Sequence, residues 1–237
     1  MIYDRYAMTD TNNPKREIVP QGFPERLLSG YASFRTNRLR YERGRYEALA
    51  EAGQKPEILL ISCCDSRSGP ETIFDSHPGE LFVVRNVANL VPPFNPDDDY
   101  HGTSAALEFA VQALKVKHIV VMGHGRCGGI NAYLQHMEDP ETAPLSPGNF
   151  IGKWISMLDE PAQSEAFKCH HDKPMDEKQR ALEEVSIRHS IQNVRSFPCV
   201  NILQSRNQIQ VHGAWFDIST GELWVLDEEK GKFIQPV

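Results

Sequence analysis

Polar stretches along the chain are broken by short apolar blocks, and the lengths of these blocks predict strands alternating with helices. Glu57 to Ser62 reads Glu-Ile-Leu-Leu-Ile-Ser and Lys117 to Met122 reads Lys-His-Ile-Val-Val-Met, with further short runs at 80–85 and 208–217. Continuous runs of this length suit strands buried on both faces of a parallel sheet. Thr103 to Leu114 places Ala106, Phe109, Ala110 and Leu114 on one expected core-facing helical stripe, and residues 150–159 also read as helical. Pro140 to Asn149 carries three prolines and reads as a loop. Ser219-Thr220-Gly221-Glu222, set between apolar runs in 213–226, predicts a β-hairpin at a sheet edge. Right-handed crossovers would join the parallel strands. The expected fold is therefore α/β, with one central, mainly parallel sheet flanked by helices and ending in an edge hairpin.

The amino end differs in pattern. Residues 1–23 are rich in Asn, Thr and Pro and predict an extended or poorly ordered arm. From Pro24 to Ala52 the pattern becomes helical, with Leu27, Leu28, Tyr31 and Phe34 at helical spacing, as in a docking helix. A single domain over 24–237 is expected to follow the arm, since the chain is long enough for one sizeable core.

Chemistry concentrates at two predicted strand ends. One carries Ser62-Cys63-Cys64-Asp65-Ser66-Arg67, and the other carries Gly123-His124-Gly125-Arg126-Cys127-Gly128-Gly129. In open α/β sheets ligands bind outside the carboxyl ends of the strands, so neighbouring strands can bring these segments together. A lone Cys at a strand end is ordinarily a small core residue, and His-x-x-Cys alone is a weak signal. Their coincidence points to a metal. Two thiolates and an imidazole suit Zn²⁺, and three protein ligands leave one position open for chemistry.

These motifs resemble the β-class carbonic anhydrases, zinc enzymes that interconvert carbon dioxide and bicarbonate. Cys63-Cys64-Asp65-Ser66-Arg67 meets the family pattern Cys-x-Asp-Ser-Arg, and His124-Gly125-Arg126-Cys127-Gly128-Gly129 meets His-x-x-Cys-Gly-Gly. Further similarity runs through Arg85–Pro93, Gly102–Ala110 and His212–Asp217, so that the resemblance spans about residues 24 to 228. It implies Cys63, His124 and Cys127 as ligands of one zinc ion. The Cys63 register agrees with strand alternation, which lets only one of two adjacent side chains face the metal; Cys64 is then expected to pack behind it.

By the same resemblance, zinc-bound hydroxide attacks carbon dioxide, Asp65 orients that hydroxide, and Arg67 holds Asp65 by a bidentate pair. Gln54 and Phe82 fall on positions that bind substrate. Asp65 could also swing onto the metal and shut the site in a pH-dependent way. Phe109 stands where plant-type members often carry Tyr, Gly125 where Ser is common, and Ser68 where an apolar residue is usual. Leu60 replaces the Trp of members switched by bicarbonate, which implies no such regulatory pocket. N-terminal helices of the family reach a partner subunit, implying a homodimer or homotetramer. Two other readings stand beside this one: hydrolysis of carbonyl sulfide or carbon disulfide on the same fold, and a non-catalytic zinc-binding regulator.

Composition narrows the partners. A formal charge of −7 and a pI near 5.7 argue against a nucleic-acid footprint. The five arginines between Arg35 and Arg45 scatter over several helical turns like a solvated or subunit-facing helix. Five cysteines, odd in number and without scaffold spacing, favour a reducing compartment. With neither a leader pattern at Met1–Pro14 nor an apolar run of spanning length, the expectation is a cytoplasmic protein acting on a small molecule, away from membranes. His170 and His171 lack a third ligand at suitable spacing and read as solvated loop. His77, His101 and His118 are proton-shuttle candidates of equal standing, and none is assigned.

Overall fold

Five of the strands grow from the apolar runs and pair with one short outer strand in a single sheet, ordered β2-β1-β3-β4-β5-β6. The computed structural model describes residues 22–97, 99–139 and 150–236. The expected loop at 140–149 and most of the arm at 1–23 lie outside these residues. The strands are β1 (Ile58–Cys63), β2 (Leu81–Asn86), β3 (His118–His124), β4 (Gln210–Phe216), β5 (Leu223–Asp227) and β6 (Lys232–Ile234). The first four are parallel, and β5 and β6 are antiparallel additions. The hairpin expected at the edge is therefore one strand in from it. β6 is only three residues long, with Phe233 its one buried apolar residue, so the periodicity carries almost no signal for it.

The helices are α1 (Glu25–Thr36), α2 (Arg38–Ala52), α3 (Pro70–Ile73), α4 (Gly102–Phe109), α5 (Gly128–Glu138), α6 (Phe150–Ile155), α7 (Asp159–Gln163), α8 (Glu165–Lys168), α9 (Met175–Ser196) and α10 (Pro198–Ser205). The chain divides into two units between Glu51 and Ala52. In the first, the expected continuous helix is broken at Asn37, whose N–H closes α1 on the carbonyl of Ser33. No residue of α1 is buried, and Leu27 and Tyr31 are more than half exposed.

The second unit contains the whole sheet. Alternation along β1 sends Leu59 and Ile61 to one face with Ile119 and Val121 of β3 and Val211 and Trp215 of β4. Ile187, Ile191 and Val194 of α9 cover this face, together with Phe197 and Val200. Leu60, Met122 and Ala214 point the other way into a smaller cluster with Ile73 and Leu81. A third cluster, with Leu134, Leu158, Phe167 and Leu182, closes around Cys63 and Cys127 at the carboxyl end of the strands.

Two helical expectations change. Over 102–114 the buried positions are Thr103, Leu107, Ala110 and Val111, while Phe109 is 49% exposed. The buried set keeps α-helical spacing but lies one position round the helix from the expected stripe, and the segment closes in a π-helical turn at Ala110–Leu114. Over 150–159, α6 gives way to a 3₁₀ turn at Ser156–Leu158 before α7 begins.

α9 approaches the sheet closely because Gly123 has no side chain. A Cβ there would lie 2.7 Å from Cδ1 and 3.1 Å from Cγ1 of Ile187. Gly123→Ala is expected to lower stability by about 1–3 kcal/mol through overpacking, measurable as an earlier midpoint in denaturant unfolding.

Candidate metal centre

Each ligand segment begins where a parallel strand stops. Cys63 is the last residue of β1, His124 the last of β3, and Cys127 immediately precedes α5. β1 and β3 are hydrogen-bonded neighbours, which is how residues far apart in sequence meet. Cys63 is 5% exposed, and His124 and Cys127 are each 1% exposed. The two sulfurs lie 4.0 Å apart, and the three ligand atoms all lie within 4.8 Å of one another. Two thiolates on a tetrahedral ion with Zn–S near 2.3 Å would be separated by about 3.8 Å, so the pair is already close to a metal-binding spacing.

The imidazole supports the same reading. His124 Nδ1 meets the carbonyl oxygen of Gly125 at 2.9 Å, a contact that requires the ring hydrogen on Nδ1. Nε2 is then a bare lone pair, and it is buried without a hydrogen-bond partner. A buried unpaired acceptor is costly; aimed between two thiols, it is what a zinc ion would satisfy. Among the described residues this is the one group of three or more metal-ligating side chains. His170 and His171 sit in the turn after α8, where His170 meets Cys169 and His171 packs on Phe167.

Charge is divided unevenly between the sulfurs. The hydrogen bond from Cys127 pulls the Cys63 thiol well below its ordinary value, against the opposing effect of burial. Cys127 is pushed up by that same bond and by its own burial. Burial opposes a charge on His124, but the facing Cys63 sulfur and the bond to the Gly125 carbonyl leave its pKa raised. A bound dication would remove the proton from Cys127, since a coordinating thiol is deprotonated outright.

Cys64 is exposed, and its N–H bonds the carbonyl of Asn86 at 2.8 Å. It does not pack behind Cys63 as expected: the strand ends there, and the next side chain turns to solvent. Asp65 and Arg67 form a bidentate pair, with Nε to Oδ1 at 2.9 Å and Nη2 to Oδ2 at 2.7 Å. The Arg67 backbone N–H adds a third bond to Oδ1 at 2.9 Å. The guanidinium holds the Asp65 carboxyl well below the usual carboxylate range. Arg67 also reaches the carbonyl of Arg126, tying the first ligand loop to the second, and Asp65 Oδ2 lies 3.9 Å from His124 Nε2. Ser68 is buried and donates to the Asp65 carbonyl, which gives this polar departure a local role.

Arg85 donates to the carbonyls of Cys63 at 2.9 Å and Asp65 at 2.7 Å, bracing the same loop from β2. Gly125 is explained by Trp215, whose Cζ2 would lie 2.9 Å from a Cβ at that position. Behind the second loop stands Glu183 of α9, 3% exposed, which sequence reasoning missed. Its Oε1 accepts from the Cys127 backbone N–H at 2.9 Å and from Gln179 at 3.0 Å, and its Oε2 accepts from Trp215 Nε1 at 3.0 Å. Gln179 also donates to the Cys127 carbonyl at 3.1 Å.

Gln54 and Phe82 are placed elsewhere. Gln54 precedes β1, and Phe82 pairs with Leu59 in the β1–β2 register, four positions before the Cys63–Asn86 pair. At about 3.3 Å per residue this is about 13 Å back along the strand. Phe82 packs instead on Phe109, with ring centroids 5.9 Å apart. His118 pairs with His212 at 3.1 Å and stands at the opposite end of β3 from His124.

A family profile described as "Carbonic anhydrase" matches residues 58–223. "Beta carbonic anhydrase 3" of Arabidopsis thaliana is 35% identical over 86% of this chain and 77% of its own length. The chain belongs to the β-carbonic anhydrase family. Among solved structures, the β-carbonic anhydrase CcaA superposes with a TM-score of 0.80 at 28% identity, covering 90% of this chain and 92% of that one. One of two β-carbonic anhydrases of Sordaria macrospora described as tetrameric superposes with a TM-score of 0.73 at 30% identity, covering 86% and 96%. Membership makes the chain a zinc-dependent, carbon dioxide-hydrating lyase, and the Cys-His-Cys group is compatible with its one zinc ion.

Proposed function

We propose that this β-carbonic anhydrase hydrates carbon dioxide reversibly to bicarbonate and a proton at one zinc site per chain, held by Cys63, His124 and Cys127, with Asp65 and Arg67 as its working dyad. Zinc held there supplies a Lewis acid that lets water act as a nucleophile near neutral pH. The observation that carries the proposal is the Asp65 carboxylate, fixed by three bonds from Arg67 with Oδ2 beside the ligand cluster. A structural zinc would have no use for such an anchored acceptor at its margin.

Asp65 Oδ2 accepts a hydrogen bond from the attacking water and so aims its remaining lone pair at the carbon of the substrate. Because Arg67 keeps Asp65 ionised, the carboxylate acts as an acceptor and the product proton passes on to buffer. Closure of the site by Asp65 itself would break two charge-assisted bonds to Arg67, which favours the open arrangement. Purified protein carrying about one zinc per chain, with rapid carbon dioxide hydration in stopped flow, is the expected result. Bound zinc without hydration would point to carbonyl sulfide or carbon disulfide as substrate, or to a regulatory protein.

Gln54 and Phe82 keep their proposed substrate role through a second copy of the chain. β2 is an edge strand, and Phe109 beside Phe82 is half exposed, so this apolar face is available to a neighbour's site. The exposed stripe of α1 favours the same conclusion, a homodimer or homotetramer. Light scattering should give a mass of at least two chains; a monomer retaining full activity would refute it. A cytoplasmic location remains the proposed setting, supported by five free cysteines. Among the described residues no helix is long and apolar enough to cross a membrane.

A further inference from the structure

The geometry points to Glu183 and Gln179 as positioning residues that set the Cys127 ligand from behind. This inference rests on the zinc reading above and deepens it. Cys127 is the one ligand whose backbone N–H and carbonyl are both held by side chains of a single helix: the N–H by Glu183 and the carbonyl by Gln179. The two residues stand four apart on α9 and are bonded to each other at 3.0 Å, so they act as one bracket. Both are at least nine-tenths buried, as is Trp215, which donates to the other carboxylate oxygen.

The bracket has something to restrain. Arg126, immediately before Cys127, adopts φ 56°, a left-handed conformation that a residue with a side chain holds at a cost. The three-residue span from His124 to Cys127 must make this turn for both ligand atoms to face one point. Relaxation of Arg126 would swing the Cys127 sulfur away from Cys63. Arg67 touches the Arg126 carbonyl and the Phe216 carbonyl takes the Gly125 N–H, while the Asn131 N–H of α5 shares the Cys127 carbonyl at 2.9 Å. Of these only the α5 bond falls on Cys127 itself, and it comes from the backbone that follows the ligand, so α9 supplies the side chains that fix Cys127 from across the fold. A carboxylate on the core-facing side of a helix, on the same buried stretch of α9 as Leu182 and Ile187, is otherwise an expensive choice. Its three donors explain its presence.

Groups that orient a metal ligand typically govern metal affinity by about 10–100-fold. The test uses the zinc-loaded enzyme and follows zinc transfer to a chromogenic chelator, alongside the thiolate-to-metal charge-transfer band of the cobalt-substituted protein. Glu183→Ala is expected to release zinc about 10–100-fold faster and to shift the cobalt band. Gln179→Ala should move both in the same direction by less. Glu183→Gln, which keeps an acceptor for Cys127 but opposes the Trp215 N–H, should fall between wild type and Glu183→Ala. Ile191→Ala, equally buried on the same helix but in the core cluster away from the loop, should lose stability while holding zinc and the cobalt band as wild type does.

Wild-type zinc retention and an unchanged cobalt band in Glu183→Ala would overturn the inference. So would zinc loss in Ile191→Ala as fast as in Glu183→Ala, which would reduce the effect to stability alone. Should Glu183→Ala fail to fold, unchanged release from both Gln179→Ala and Glu183→Gln would overturn it equally. Wild-type protein that binds no zinc would sink the metal reading itself, a distinct result.

Discussion

Cys63→Ser is expected to empty the metal site and lower carbon dioxide hydration by on the order of 10³-fold or more, while Cys64→Ser leaves zinc content and rate near wild type. The contrast follows from geometry. Cys63 is buried with its sulfur 4.0 Å from that of Cys127, whereas Cys64 is exposed and contributes only its backbone N–H to Asn86. A loss of this size corresponds to about 4 kcal/mol of barrier, within what a Lewis-acidic ion supplies. Metal analysis and stopped flow on the same preparations decide it. Equal losses in the two variants would mean that the register of the adjacent cysteines is wrong.

The second large effect falls on Asp65. Asp65→Ala should retain zinc yet lose about 10²–10³-fold in kcat, because the acceptor that orients the attacking water is gone. Arg67→Ala should lose less, since the carboxylate survives without its anchor. The pH dependence separates the two. In the folded enzyme the Arg67 guanidinium depresses the Asp65 pKa, so the charged pair is fully formed above the ordinary carboxylate value and is lost only as pH falls through the lowered one. From about pH 5 upward Asp65 therefore contributes no ionisation of its own to the rate profile. In Arg67→Ala its pKa rises toward the ordinary range, and the acid limb of activity should move to higher pH. Full hydration activity in Asp65→Ala would remove the dyad from the mechanism.

What could be seen beforehand was governed by how each element advertises itself. The central strands were legible because Leu59 to Ile61 are buried on both faces, Ile119 to Val121 are buried on one and half-buried on the other, and both carry unbroken apolar runs. The ligands were legible because cysteine, histidine and glycine at fixed spacing are rare and have few ordinary uses. α9, the longest helix, went unread: its buried side includes Gln179, Glu183, Ser186, Ser190 and Asn193, so polar residues interrupt the stripe made by Leu182, Ile187, Ile191 and Val194. Those interruptions were the signal for the bracket behind Cys127, since a carboxylate at a core position of a helix implies waiting donors. The stripe over 102–114 was less legible, because Ala105 to Leu107 and Phe109 to Val111 are unbroken apolar runs that leave its phase open by one position. Cys64 was placed inside by continuing strand alternation one residue past the end of β1.

The distance in sequence between the ligands has a thermodynamic side. Cys63 and Cys127 lie 64 positions apart, so an ion gripping both is a removable cross-link around a long loop that contains β2, α4 and β3. Closing a loop of that length by a covalent bond would restrict the unfolded chain by on the order of 4 kcal/mol, and a tightly held ion acts in the same sense while it stays bound. For a domain whose total stability is about 5–15 kcal/mol, that share is large. Chains made under zinc scarcity would thus be both idle and more easily unfolded, and proteolysis would thin their number as well as scarcity silencing their chemistry.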